Sequence, residues 1–227
     1  DLFVAGYTSM SDAIVGSTAG FPTDHRGVPD RLYLNLGNDR EGRARFREVA
    51  GEVGIDRRGE HGLGATFSDV DGDHRLDLVV ANDEDPNRMY LNRQADTPLG
   101  FRFVDEAKVR GADDGNAGMG ISRADYTGDA VGDLIVTNAR RQLHAVYQGS
   151  RARFIDRRPD FAGAFDTKLT GWGVAWADLD RDGTPELLIG NGAIPVVNLR
   201  RDAQRLLVLR RLPNGRYGDA SQSLGLS

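Results

Sequence analysis

The chain has 227 residues, 39% apolar and 28% charged, enough for one large or two small folded domains and too apolar to stay disordered. Twenty-nine basic residues are dispersed among 34 acidic ones for a net charge of −5, which argues against a nucleic-acid binder with its concentrated basic face. No stretch approaches the ~18 apolar residues of a membrane span, and the lack of cysteine excludes disulfides and thiolate metal sites while leaving the compartment open.

Taken in chain order, the predicted elements repeat. "DLFVAG" from Asp1, "RLYLN" from Arg31 and "FREVA" from Phe46 are short strands, the last led by an aromatic residue. "GLGATFSD" from Gly62 then leads into an acidic loop at Asp69, the strand "LDLVVAN", "RMYLN" from Arg88 and "FVDEA" from Phe103. The series returns as "GMGISRAD" from Gly118, a loop at Asp125, "GDLIVTN", "HAVYQ" from His144 and "FIDRR" from Phe154. It returns again as "GWGVAWAD" from Gly171, a loop at Asp178, "PELLIGN", "LLVLR" from Leu206 and "YGDAS" from Tyr217. The loops begin at 69, 125 and 178, spacings of 56 and 53 residues.

Repeats of roughly 40–50 residues with four strands each predict propeller blades. The expected fold is therefore all-β, a single β-propeller portion over 1–227, with units near 1–61, 62–117, 118–170 and 171–227. "DLFVAG" matches "DLVVAN", so the chain opens inside a unit, and no signal peptide is visible. About four blades are present, and we expect them to be part of a larger ring of about seven or eight blades. Missing sequence, a second chain or self-association would complete that ring.

The acidic loops point to a cation. In "DVDGDHRLD", Asp69, Asp71, Asp73 and Asp77 stand at positions one, three, five and nine, and Arg75 offers a backbone carbonyl at seven. Carboxylates converging in one curled loop repel, and a hard cation with 6–8 oxygen ligands relieves them; calcium tolerates such irregular geometry better than magnesium. Asp178, Asp180, Asp182, the Thr184 carbonyl and Glu186 form a second set, with Gly183 at the sharp turn where the first loop has His74. The middle loop is poorer: Thr127 replaces the second carboxylate and Ala130 takes the turn, leaving Asp125, Asp129 and Asp133. Two Ca2+ sites are expected, and a third if the weaker loop binds. The plain alternative is that Asp and Gly merely shape turns. An apolar strand follows each loop where an EF-hand would place a helix.

The combination of "GLGATFSDVDGDHRLDLVVAN", "RMYLN" and "FVDEA" resembles the FG-GAP/VCBS repeats of integrin-α-like β-propellers, and the order of elements looks like the branch shared by cartilage acidic proteins and bacterial ASPIC/UnbV proteins. That resemblance implies a calcium-binding propeller acting as a non-catalytic binding or scaffold module, with calcium held at loops between the outer strands. It also implies an alternative, an UnbV-type accessory protein or enzyme of an enediyne polyketide pathway that handles a small molecule. Millimolar calcium points to an extracytoplasmic home; the pathway alternative would be cytoplasmic.

Enzyme motifs are missing. "GSTAG" from Gly16 is not a nucleophile elbow, and the Gly-x-Gly stretches enter strands and not helices. His25, His61, His74 and His144 are scattered and read as solvated loop positions. Two insertions break the repeat: 19 residues around 7–30 (34 steps from Asp1 to Asn35 against 15 from Asp77 to Asn92), and a shorter one around 190–204. These loops are the expected sites for a protein or small-molecule partner. Arg200, Arg201, Arg205, Arg210 and Arg211 would make a basic edge there unless solvated. Tyr90, Trp172 and Trp176 fall in phase on core strands, so packing is favoured over a sugar-stacking platform.

Overall fold

The runs that follow each acidic loop have no polar face, and the structure shows why. The computed structural model describes residues 1–55, 58–194, 196–198 and 200–226. Pro195 and Leu199 of the second insertion, residues 56 and 57 of the first unit and Ser227 of the last lie outside the described residues.

The first sheet pairs β1 (Leu2–Val4), β4 (Arg31–Asn38) and β5 (Ala44–Glu48), while β2 (Thr8–Ala13) and β3 (His25–Gly27) form a separate hairpin inside the insertion. The second sheet runs β6 (Gly62–Ser68), β7 (Asp77–Asn82), β8 (Arg88–Gln94), β9 (Phe101–Asp105), and a single-turn helix α1 (Ala107–Arg110) follows. The third is β10 (Gly118–Ala124), β11 (Asp133–Asn138), β12 (Ala145–Gly149), β13 (Phe154–Asp156), followed by α2 (Arg158–Phe161). The fourth is β14 (Gly171–Ala177), β15 (Glu186–Asn191), β16 (Leu207–Arg211), β17 (Tyr217–Asp219). Every four-stranded sheet is an antiparallel meander in chain order, and β10 packs between β6 and β14, so these first strands lie innermost. These are blades of a β-propeller, as the repeat predicts. The helical turns after the fourth strands, and the β2–β3 hairpin, are additions that strand periodicity does not reveal.

All six residues of β7 are buried, because strand alternation serves two neighbours. Leu78 and Val80 join Leu32, Val53 and Ile55 of the first blade, while Val79 and Ala81 join Leu134, Val136 and Tyr147 of the third. Ile135 in turn packs with Leu187, Ile189 and Leu209 of the fourth. Each such aliphatic side chain contributes about 1.5–3 kcal/mol by leaving water. Tyr90 is 1% exposed and Trp176 stacks on Tyr126 at 5.0 Å, so both pack as expected. Trp172 does not: it is 40% exposed.

Two histidines also depart from expectation. His61 and His144 are buried, not solvated. His61 Nδ1 lies 2.7 Å from Asp85. His144 Nδ1 accepts a hydrogen bond from the Asn138 N–H at 2.9 Å and its ring meets Phe165 edge-on. An acceptor nitrogen cannot carry a proton, and burial holds the His144 pKa down to about 4. The folded state therefore keeps His144 neutral while the unfolded chain takes up a proton near pH 6.5. Stability contributed by this group is complete above that value and declines as the pH falls toward 4. We expect the advantage of the parent over a His144→Asn variant to shrink by about 2–3 kcal/mol between pH 7.5 and 4.5 in urea denaturation. A pH-independent difference between the two would contradict this.

Candidate metal centre

The three acidic loops share one backbone design. Each joins the innermost strand of a blade to the second, not two outer strands as the family resemblance implies. The first aspartate folds the loop around itself. Asp69 accepts from the N–H groups of Gly72, Asp73 and His74, and Asp125 from those of Gly128, Asp129 and Ala130. Asp178 accepts from Asp182 and Gly183. The fourth and sixth positions are left-handed in all three: Gly72 and His74, Gly128 and Ala130, Arg181 and Gly183. His74, Ala130 and Arg181 adopt φ of 64–65°, which costs an L-residue about 1 kcal/mol or more that Gly183 avoids.

The ninth residue is a staple. Asp77 is fully buried; its Oδ2 accepts from Val70 N–H at 2.9 Å and its Oδ1 from Asn92 N–H on the third strand at 2.8 Å. Asp133 repeats this with Tyr126 at 3.0 Å and Gly149 at 2.9 Å. Glu186 accepts from Leu179 N–H at 2.9 Å and from the Arg210 guanidinium at 3.2 Å. Burial pushes the Asp77 and Asp133 carboxyls above the usual range, against the pull of those backbone donors. Burial also raises Asp69, but its three backbone N–H donors outweigh it and the net direction is down.

The third and fifth positions remain for other work. Oxygens of Asp69, Asp71 and Asp77 converge within 4.8 Å of one another, and so do those of Asp178, Asp180 and Asp182. Asp73 does not join the first cluster: it accepts from the Arg75 N–H and faces the guanidinium groups of Arg75 and Arg93. Glu186 does not join the second, being held by its staple. Arg75 and Thr184 sit at the seventh position, where each loop turns into the second strand. Among the described residues, no three carboxylates of the middle loop cluster. There the Thr127 hydroxyl donates to Asp133 at 3.0 Å, and Asp129 accepts from Val131 N–H and Gln148.

Asp71 tests whether a cation fits. Its side chain is 9% exposed, and Oδ2 meets Arg93 at 2.7 Å and Arg110 at 3.5 Å. Its Oδ1 is buried with no partner among the described residues. An unsatisfied buried carboxylate oxygen costs 1–3 kcal/mol or more, so an oxygen-seeking ion between Asp69, Asp71 and Asp77 fits this donor set. Sequence reasoning missed the guanidinium groups that share the work. Arg93 comes from the third strand of its blade, Arg110 from α1, and Arg210 reaches Asp180 at 2.9 Å from β16. The only signal for Arg93 and Arg210 is a basic residue near the end of the third strand, and Arg110, after the fourth strand, has none. Arg201 and Arg205 pair with Asp202 and Asp219, so together with Arg210 they are not the free basic edge expected.

A four-stranded blade with an acidic loop between its first two strands resembles the FG-GAP-type propeller repeats, and comparison with known proteins supports the likeness. The FG-GAP-like repeat family matches residues 69–136. The chain is similar to cartilage acidic protein 1: 24% identical to that of Mus musculus over 200 residues, covering 83% of this chain and 30% of that protein. Identity to the Homo sapiens protein is 22% over 190 residues (81% and 28%), and to the Xenopus tropicalis protein 24% over 181 residues (74% and 26%). The chain thus spans under a third of these curated relatives. The resemblance to FG-GAP propellers and to the cartilage acidic protein and UnbV branch holds. Among the described residues no helix is long and apolar enough to cross a membrane.

Proposed function

We propose that the chain is a calcium-stabilised propeller portion that serves as a non-catalytic binding or scaffold module outside the cytoplasm. The observation carrying this reading is the unpartnered, buried Oδ1 of Asp71 between Asp69 and Asp77. Calcium there would be structural, fastening the innermost strand of a blade to the second. Asp69, Asp71 and Asp77 would hold one ion, with the Arg75 carbonyl and a reoriented Asp73 completing its shell. Asp178, Asp180 and Asp182 would hold a second, with Thr184 and Glu186. The middle loop, with Thr127 in the third position, is the weakest candidate.

At dissociation constants of roughly 10⁻⁴–10⁻³ M, 1 mM calcium stabilises each site by about 0.4–1.4 kcal/mol. For a chain of this length that is a rise of roughly 1–6 °C per site. We expect the parent to melt higher in calcium than in excess chelator, and Asp71→Asn and Asp180→Asn each to lose part of that rise. Identical melts, with no calcium bound by equilibrium dialysis, would reduce the loops to turns. A second reading, a small-molecule handler of UnbV type, is favoured by one feature: residues of the 7–30 insertion line a cavity of about 600 Å³ at the other end of the blades. Closure of a larger ring by a second chain or a further copy belongs to either reading.

A further inference from the structure

The cavity at the end opposite the acidic loops has a definite chemical character. Its apolar wall is built from a motif already seen in the sequence. Leu63, Met119 and Trp172, the middle residues of the three Gly-x-Gly stretches, all line it, so consecutive innermost strands each contribute one side chain. The insertion supplies Phe21, which packs edge-on to Tyr7 at 5.7 Å. Tyr7 in turn donates its O–H to Asp83 at 2.7 Å and so ties the insertion to the β7–β8 loop. Phe21 is 54% and Trp172 40% exposed, leaving two aromatic faces open in a concave site.

The polar lining is unbalanced. Arg140 and Arg141 sit side by side on the β11–β12 loop, their backbones pinned by Thr170 Oγ1 and the Thr167 carbonyl. Arg141 is held at φ 70°. Among the described residues neither guanidinium has a hydrogen bond or ion pair, whereas Arg93, Arg110, Arg158 and Arg205 are all paired. Of the two acidic residues at the site, Asp83 is buried and engaged by Tyr7, leaving Glu84 exposed on a different blade. Two adjacent unpaired cations beside an aromatic wall favour an anion attached to a flat apolar body. A guanidinium pairs with a carboxylate through two parallel hydrogen bonds and stacks on aromatic faces. The volume falls in the range of small-molecule sites.

We propose that this cavity binds a small molecule with an aromatic body and a carboxylate, the body against Trp172 and Phe21 and the carboxylate toward Arg140 and Arg141. This rests on the ligand-handling reading above and is independent of calcium. The test is calorimetric titration of the chain with naphthalene-2-carboxylate, its neutral carboxamide and 2-naphthylmethylammonium. The carboxylate should bind about tenfold or more tighter than the carboxamide. The double variant Arg140→Gln/Arg141→Gln should lose that preference while still binding the carboxamide. Phe21→Ala and Trp172→Ala should weaken both, and Arg102→Gln, an exposed residue of β9, should change neither. All variants are to be compared at matched melting temperature, which separates a lost site from a lost fold. Equal binding of carboxylate and carboxamide, or tighter binding of the ammonium, would overturn the charge assignment alone. No binding of any of the three would overturn the ligand-handling reading with it.

Discussion

Replacing Asp77 with alanine is expected to cost about 3–5 kcal/mol, the larger end of what point substitutions do. The side chain is fully buried, and its two oxygens satisfy the N–H groups of Val70 and Asn92. Removing it leaves both donors without an acceptor, at about 1–3 kcal/mol each, and separates the acidic loop from the third strand. Asp133→Ala should behave alike, since Tyr126, Thr127 and Gly149 all donate to that carboxylate. Asp71→Asn should cost less than Asp77→Ala in chelator, because no backbone donor depends on it and one of its oxygens has no partner, so its loss is confined to the ion pairs with Arg93 and Arg110. Denaturant unfolding in excess chelator separates the two roles. A loss from Asp77→Ala that disappeared without calcium would make Asp77 a ligand first and a staple second.

Gly120→Ala should be about as costly, on the order of 3 kcal/mol or more. A methyl group at Gly120 would collide with the carbonyl oxygen of Trp172, a backbone atom of the next blade that cannot swing aside. The approach is fixed from a second direction: the Thr137 hydroxyl accepts from the Gly120 N–H at 2.9 Å and donates to that same Trp172 carbonyl at 3.0 Å. Gly64 stands in the same relation to the carbonyl of Met119. The second glycine of the first two Gly-x-Gly stretches, Gly64 and Gly120, thus makes room for the middle residue of the next one. Gly173→Ala is the control, since its added methyl meets nothing within 4 Å. Similar losses at Gly120 and Gly173, read by urea denaturation, would mean that the collision is relieved by a shift of the whole strand.

These elements mark what could be read from residue order alone. The strands, their four-fold grouping and the loop positions follow from hydrophobic period and turn chemistry, which are local. A Gly-x-Gly strand suggests close backbone approach in general, but which glycine carries it, Gly64 and Gly120 and not Gly173, depends on the neighbouring blade. The carboxylate spacing of the loops was legible; how far each carboxylate is already engaged was not. That depends on Asn92, Gly149 and Arg210 on the third strand, and on Arg93 and Arg110, brought near only by the meander. The burial of His61 and His144 was hidden for a similar reason. Each sits at a junction whose other half belongs to a distant segment: Asp85 and His25 for the first, Phe165 and Gly171 for the second. The cavity was hidden because Tyr7, Phe21 and the three Gly-x-Gly strands meet only once neighbouring blades pack together.

The glycine-to-carbonyl fit between neighbouring innermost strands has a consequence for how such chains grow. Each junction asks for one residue without a side chain on one unit and one peptide oxygen on the next, and both come from the same three-residue segment. A duplicated unit therefore arrives carrying both halves of the junction, ready to join a copy before it and a copy after it. Drift elsewhere in the unit, such as an inserted hairpin or a weakened acidic loop, leaves that joint untouched. Units can diverge in what they bind while the arc they build stays continuous.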